Sequence, residues 1–502
     1  MRAVPLVIAS IVLTAAACGG NHGKSVCDNQ VPPPAACMTQ CDPAPGAANT
    51  CPSGYHCAAD GFCDAVCTPG GTECGDGYVC TNDGRCKGED ECTGLECNVV
   101  DCTGQGKPET TIKGTVFAPN GTLPLYGVNV YVPNAPVPPM TDGAECARCD
   151  DNLPGSPIVR ATTDEAGNFV LSGAPSGADI PLVIASGKWR RQITIPAVAE
   201  CADTSLDAQQ TRLPKNKSEG DMPKIAITTG NADALECLLP KLGIDLAEIT
   251  SDSGDGRVNL FTDEGIGGQG EDRFDAGGMF SAATTLWNDV DKLKQYDIVF
   301  FSCEGGQYPA SKSQAAMDAV KAYADFGGRV FMSHWHNIWI EGSTEGGGNQ
   351  APAVWPSIAN WSNGGNTSDP ATDIIDEQSN PKGTAFATWM LNVMGSTNRG
   401  EIIVNEGRQT VTSVDETKAE RWVYYQPNMA PQMFQFTTPN EAPADQRCGK
   451  VVFSDMHVSA DSSSNPGSPG YPGQCDTSPL TPQEKALAFM FFDLASCVGV
   501  LF

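Results

Sequence analysis

The chain has 502 residues, 22 of them cysteine, with 60 acidic and 31 basic side chains and a net charge of −29. A surface this acidic repels phosphate backbones and anionic headgroups, which argues against nucleic-acid binding and charge-driven membrane adsorption. The length exceeds one core at ~100–200 residues per domain, so about three units are expected, and the cysteine content is too high for a cytosolic enzyme.

The first residues give an address. Arg2 precedes a short apolar stretch from Val4 to Ala17, and Ala15, Ala16 and Ala17 stand immediately before Cys18. Residues 1–17 read as a signal peptide, too short to span a bilayer. The run resembles a bacterial lipoprotein lipobox, although Ala15 stands where that motif usually has Leu. The resemblance implies cleavage before Cys18, lipidation of its sulfur and, with Gly19 next, sorting to the outer membrane or cell surface. A plain secretory signal is the alternative. Acyl chains contribute ~0.8 kcal/mol per buried CH₂, so a lipidated Cys18 would hold an acidic protein on a membrane through a tether of residues 18–26.

Thirteen cysteines lie between Cys27 and Cys102. Within them Cys51, Cys57 and Cys63 are echoed by Cys74, Cys80 and Cys86 in the pattern C-x-x-G-Y-x-C-x-x-D-G-x-C, with a period of 23 residues. Asp-Gly between two cysteines signals a tight hairpin. Units this small cannot bury enough apolar surface to fold alone, and C-x5-C is not the short spacing of structural zinc sites, so disulfides are expected over residues 27–102. These repeats resemble small EGF-like or granin-like knots.

Residues 103–215 carry short alternating strands punctuated by glycine and proline, an all-β pattern. Gly114 to Gly121, Pro124 to Val132 and Thr162 to Leu171 with its D-x-x-G-x-F turn resemble the carboxypeptidase regulatory-like, or prealbumin-like, sandwich, which implies an accessory fold without catalytic residues. Val128, Val130 and Val132 alternate onto one face. A proline-rich loop contains Cys146 and Cys149; no helix is expected there to activate a thiol, so a structural disulfide role is favoured over a redox motif. Lys188, Trp189, Arg190 and Arg191 form either a solvated face or a local ligand platform.

From residue 216 strands alternate with helices. Strands are expected at Lys224–Thr229, Tyr296–Ser302, Arg329–Ser333 and Lys450–Ser454, and helices at Ala232–Leu242, Lys312–Phe326, Thr384–Val393 and Thr481–Ser496. The last opens with Thr as N-cap, Pro at N1 and Glu at N3. This alternation predicts an α/β flavodoxin-like parallel sheet with any site at the carboxyl ends of its strands, interrupted by an insertion over residues 337–440. The acidic, glycine-rich run from Asp252 to Gly278 reads as a solvated loop.

Of five histidines, three fall just past the end of a predicted strand, His334, His336 and His457, which suggests a shared site. Tyr296 to Gln307, containing Cys303, Gly305 and Gly306, resembles the oxyanion strand of the class I glutamine amidotransferase-like superfamily. Gly328 to His334 resembles its nucleophile-elbow strand, and Val451 to His457 the strand bearing its histidine. His334 occupies the position of the family's nucleophilic cysteine and Ser459 that of its glutamate, so the family's glutamine hydrolysis should fail; histidine at the elbow resembles the ThuA-like branch.

Several chemistries remain open. Ser333 with His457 would be a serine site, but Phe331 and Trp335 are not the glycines of a G-x-S-x-G elbow. Cys303 beside Gly305 and Gly306 would be a thiol nucleophile. His334, His336, Asp455 and His457 would hold a divalent metal, imidazole and carboxylate suiting zinc or iron. A degenerate elbow that binds a ligand or nothing is the remaining reading. Trp335, Trp339, Trp355, Trp361 and Trp389 cluster around this rim, and indole beside Asn and Asp suits glycan stacking. The leading expectation is a binding or structural role at the cell envelope with a glycan or peptide ligand; a hydrolase or metal-dependent enzyme acting at His334 and His457 is the rival.

Overall fold

A computed structural model describes residues 93–498 except 149–152, 263–269, 345–348, 363 and 458–469. Before residue 93 it describes Cys27, 34–41, 43, 51, 52, 54–58, 60–67, 74, 78–81, 84–88 and 92. The signal segment, Cys18, Cys149 and Ser459 lie outside the described residues. The chain divides into two compact units, Met1–Cys92 and Thr93–Phe502.

The first unit is held by disulfides Cys27–Cys37, Cys41–Cys57, Cys51–Cys63, Cys67–Cys80 and Cys74–Cys86. Two hairpins, His56–Cys57 with Cys63–Asp64 and Tyr78–Cys80 with Cys86–Gly88, set Cys57 opposite Cys63 and Cys80 opposite Cys86. Gly61 and Gly84, at φ +83° and +73°, turn them without a Cβ penalty. Neither cross-strand pair bonds to itself. Each strand cysteine reaches back to an earlier one, so every repeat recruits a fourth cysteine, Cys41 or Cys67, that the 23-residue period does not mark.

The second unit opens with two sheets. One runs Trp189–Val198, Gly177–Ser186, Asn129–Pro133, Pro157–Thr162, and the other Asp203–Ser205, Thr111–Thr115, Asn168–Ser172. Val128, Val130 and Val132 enter the main core. Tyr131, on the opposite face, is also buried, beside Val183 and Ala185, because Val137 and Leu153 of the proline-rich loop pack over it.

The larger sheet is built around β1 (Ile225–Thr228), β2 (Ile298–Phe301), β3 (Arg329–Ser333) and β4 (Gly449–Ser454), mutually parallel in that order. All four are buried along their length, which is why they read as continuous apolar runs. Beyond β1 lie Val258–Thr262 and then Ile249–Ser251, both parallel. Val258–Thr262 sits inside the run expected to be a loop. Beyond β4 the sheet turns antiparallel through Ala430–Thr438, Glu420–Tyr425, Ala371–Ile375 and Glu401–Val404. The insertion therefore supplies four strands to the same sheet, which is mixed rather than wholly parallel.

Helices α1 (Gln314–Phe326) and α2 (Pro482–Ala495) follow the expected spans, and Thr481 and Glu484 form a reciprocal capping box. The helix expected over Ala232–Leu242 is reduced to a 3₁₀ turn, Leu235–Cys237, and one α-turn, Leu238–Lys241, consistent with Pro240 lacking an N–H to continue it.

The all-β segment and the mixed sheet share one core. Trp189 packs against Phe491 and Phe492 of α2, and Tyr126 stacks on Phe489 at 6.1 Å. The basic stretch is neither solvated nor a ligand platform. Lys188 pairs with Asp297 at 2.8 Å, Arg190 with Asp221, and Arg191 donates to the carbonyls of Gln209 and Arg212. Disulfides Cys102–Cys201, Cys146–Cys448 and Cys237–Cys475 close separations of 99, 302 and 238 residues. Cys146 thus bonds Cys448, the residue before β4, rather than its C-x-x-C neighbour. No helix among the described residues is long and apolar enough to cross a membrane.

Candidate functional site

Three adjacent parallel strands, β2, β3 and β4, deliver Cys303, His334 and His457 past their carboxyl ends. The chain leaves β3 through a sharp turn. His334 has φ +40°, a left-handed conformation rare for a side chain with a Cβ, and starts the 3₁₀ turn His334–Asn337. Its Nδ1 lies 3.3 Å from Cys303 Sγ, and its ring centroid is 5.2 Å from that of His457. The potential ligand atoms of Cys303, His334 and His457 all lie within 4.8 Å of one another, and all three residues are buried. Gly230 makes room for the turn after β2, where a Cβ would meet the Cys303 carbonyl oxygen at 2.3 Å.

Burial dominates the electrostatics. It pushes the Cys303 thiol up to about 12, although the N–H groups of Trp335 and Gly305 point at the sulfur and act the other way. It lowers His334 well below the usual imidazole range, reinforced by His457 and Arg408, and lowers His457 to about 3, with Arg408 contributing. Burial thus favours the uncharged form of both groups, with Cys303 Sγ and His334 Nδ1 in hydrogen-bond contact. Cys303 is the only free cysteine among the described residues.

The structure does not bring His336 and Asp455 into this group. His336 accepts the indole N–H of Trp339 at Nδ1, 2.9 Å away, and its ring packs on Phe301. Asp455 is turned to the insertion, accepting the Thr410 N–H and hydroxyl at 2.7 and 2.6 Å and the Val411 N–H at 3.3 Å; burial raises its carboxyl to about 6. Ser333 donates to Asp233 at 2.6 Å, so its hydroxyl faces a carboxylate. Gly305, at φ +84°, lets its N–H turn toward Cys303, whereas Gly306 lies against the Tyr308 ring.

The tryptophans separate in the same way. Trp355 is buried and packs edge-on against Phe436 at 5.2 Å, and Trp339 and Trp389 are buried too. Their ring faces are unavailable to a ligand. Trp361 is half-buried on Phe434 and Phe453. Trp335 is half-buried beside Gly364, and Gly364 lines a cleft of about 340 Å³ with Ser362, Gly365, Gln409, Thr412 and Asn428. Asn428 donates to Gln409 at 2.6 Å and Gln409 to the Asn366 carbonyl at 2.9 Å, which fixes both amides.

Sequence reasoning missed Asp233, Arg408 and the buried pair of Glu304 with Lys312. Asp233 had a signal, since it follows the carboxyl end of β1. Arg408 had none, coming from the middle of the insertion.

No family model matches the chain, and no curated protein matches it. Among solved structures it is similar to an N-terminal interface mutant of a type II cohesin–X-dockerin complex from Acetivibrio cellulolyticus, at 16% identity over 29% of this chain and 78% of that one, with a TM-score of 0.15. The C-terminal interface mutant of the same complex matches at 15% identity with the same coverages and score. A putative ThuA-like protein from Bacteroides uniformis matches at 12% identity over 54% of this chain and 90% of that one, with a TM-score of 0.27. Scores this low assign neither a family nor an activity.

Proposed function

We propose that this is an exported envelope protein, anchored through a lipidated Cys18, that binds a glycan or peptide in the cleft beside Trp335. Its all-β segment is read as a carboxypeptidase regulatory-like accessory sandwich, and its mixed sheet as an amidotransferase-like, ThuA-like domain without the family nucleophile. The many disulfides support export, because such bonds persist in oxidising compartments. The cleft carries the binding reading: the Gln409 and Asn428 amides, Ser362 and Thr412 line it together with Val411 and Ala430, and the half-buried Trp335 indole stands near Gly364 at its edge, a mix of polar and apolar surface of the kind that sugars and extended peptides use. Against acyl transfer at the elbow, the Cys303 thiol is buried and protonated, and Ser333 donates to Asp233 rather than to an imidazole.

Titrating the full mature chain with cello-, xylo- and chitohexaose and with short peptides, followed by tryptophan fluorescence, tests the cleft. Saturable binding by one class, weakened at least tenfold in Trp335→Ala and Gln409→Ala, is expected. Absence of saturable binding by any of them overturns the ligand reading. Mass spectrometry of the mature N-terminus tests the anchor, and an unmodified Cys18 overturns it. A second reading, a hydrolase or metal-dependent enzyme at His334 and His457, is favoured by the buried Cys303–His334–His457 group.

A further inference from the structure

We propose that Cys303, His334 and His457 bind one d¹⁰ metal ion, copper(I) in preference to zinc(II). The inference rests on the second reading only in taking this group as functional, and it requires neither catalysis nor the cleft.

The geometry is near what such an ion needs. With metal–sulfur and metal–nitrogen bonds of about 2.3 and 2.0 Å, ligands of a trigonal or tetrahedral site stand roughly 3.3–3.9 Å apart. Here all three potential ligand atoms already lie within 4.8 Å of one another. The scaffold is rigid, since β2 pairs with β3 and β3 with β4 in continuous parallel register. One nitrogen of the buried His457 ring, Nε2, has no hydrogen-bond partner, an arrangement that costs free energy unless something fills it.

The donor set selects the metal class. The carboxylate of Asp455 is committed to Thr410, and His336, whose Nδ1 accepts from Trp339 and whose Nε2 is unpartnered like that of His457, lies outside the three converging ligand atoms. What remains is one sulfur and two nitrogens, a soft set. Binding breaks the S–H bond, forms a metal–sulfur bond and releases the proton to solvent. A thiolate, two neutral imidazoles and copper(I) sum to zero charge in a buried site, whereas zinc(II) leaves a net positive charge where Arg408 already bears on both histidines. The N–H groups of Gly305 and Trp335 would stabilise the thiolate.

The test uses the full mature chain with its disulfides formed, titrated anaerobically with copper(I) against bicinchoninate and with zinc(II) against a chromogenic chelator. Expected are one copper(I) per chain, at least a hundredfold weaker binding in Cys303→Ser, at least tenfold in His457→Gln, and no change in His336→Gln. X-ray absorption of the wild-type copper complex, which does not depend on any variant folding, should show one sulfur and two nitrogen neighbours. Absence of copper binding by the wild type, wild-type affinity in Cys303→Ser, or a shell without sulfur overturns the proposal. Zinc(II) held more tightly than copper(I) overturns the assigned preference. Retention is read without turnover, so an inactive but metal-loaded protein separates this inference from the hydrolase reading.

Discussion

Trp189 of the all-β segment packs edge-on against Phe491 of the closing helix, ring centroids 6.2 Å apart. The indole is fully buried, as are the strands of the mixed sheet on the helix's other neighbours. Residues placed by sequence in two segments thus share one apolar interior. Trp189→Ala should cost about 3–5 kcal/mol, the range for emptying a buried indole site. Urea unfolding followed by far-ultraviolet circular dichroism and by tryptophan fluorescence should shift together in one transition. Separate transitions, with only the all-β signal affected, would show that the two segments unfold independently.

Arg212 grips Glu219 through both terminal guanidinium nitrogens, at 2.5 and 2.6 Å. This bond, the largest influence, holds the Glu219 carboxyl down at about 2 from an ordinary 4.5. A carboxyl depressed by folding stabilises the native state fully above its unfolded pKa, and the contribution is lost as pH falls through the folded value. Discounted for solvent screening of a partly exposed pair, Glu219 should contribute roughly 1 kcal/mol above pH 4.5, lost as pH falls toward about 2. Comparing wild type with Glu219→Gln at pH 7 and pH 2.5 by thermal unfolding checks this. The gap should narrow at the lower pH, and a constant gap would rule out the ion pair as its source.

The disulfide Cys237–Cys475 closes a separation of 238 residues and ties the first turn after β1 to the segment before α2. Chain-entropy reasoning gives long closures about 2–5 kcal/mol. The Cys237→Ser, Cys475→Ser double variant should lose that much stability while leaving the first unit's reactivity to reductant unchanged. Denaturation midpoints of wild type and double variant, both with their remaining disulfides formed, measure it.

What the sequence made legible follows from how each element is buried. The four central strands are covered on both faces and stand out as apolar runs, and the last helix announces itself by its Thr481–Glu484 cap. Val258–Thr262 was hidden because Asp and Gly dominate its flanks, and the insertion's strands because their apolar residues are spread among polar ones. Cys303, His334 and His457 were each visible as candidates. The shared site of His334 and His457 was expected from their places past strand ends; that Cys303 joins them and His336 does not depends on β2, β3 and β4 being sheet neighbours and on the turn after β3, which residue spacing does not encode. The same limit explains His336, whose place two residues from His334 says nothing about a 3₁₀ turn that swings it under Trp339.

The Cys303 thiol, inaccessible and raised to about 12, should be nearly inert in the native protein. At pH 8 its thiolate fraction is roughly a thousandfold below that of an ordinary cysteine with a pKa near 8.5. Disulfide-exchange reagents should report a thiol only after unfolding in guanidinium, and Cys303→Ala should remove it. Rapid reaction of the native protein, abolished by the same substitution, would show an open thiol nucleophile.

Lys312 and Glu304 form an ion pair at 2.5 Å with both side chains fully excluded from solvent, and the ammonium also lies 5.0 Å from the centre of the Trp287 ring. Glu304 adjoins Cys303, so the pair fixes the segment that carries the thiol. Removing one partner strands a buried charge, which costs about 3–5 kcal/mol, whereas removing both leaves an apolar gap that packing can tolerate. Lys312→Met alone should therefore be strongly destabilising, and Lys312→Met with Glu304→Leu should recover most of the loss. Chemical denaturation of both single variants and the double variant closes the cycle, the coupling between them measuring the stranded charge. A double variant as unstable as the sum of its parts would mean that the pair acts through packing around Trp287 rather than through charge.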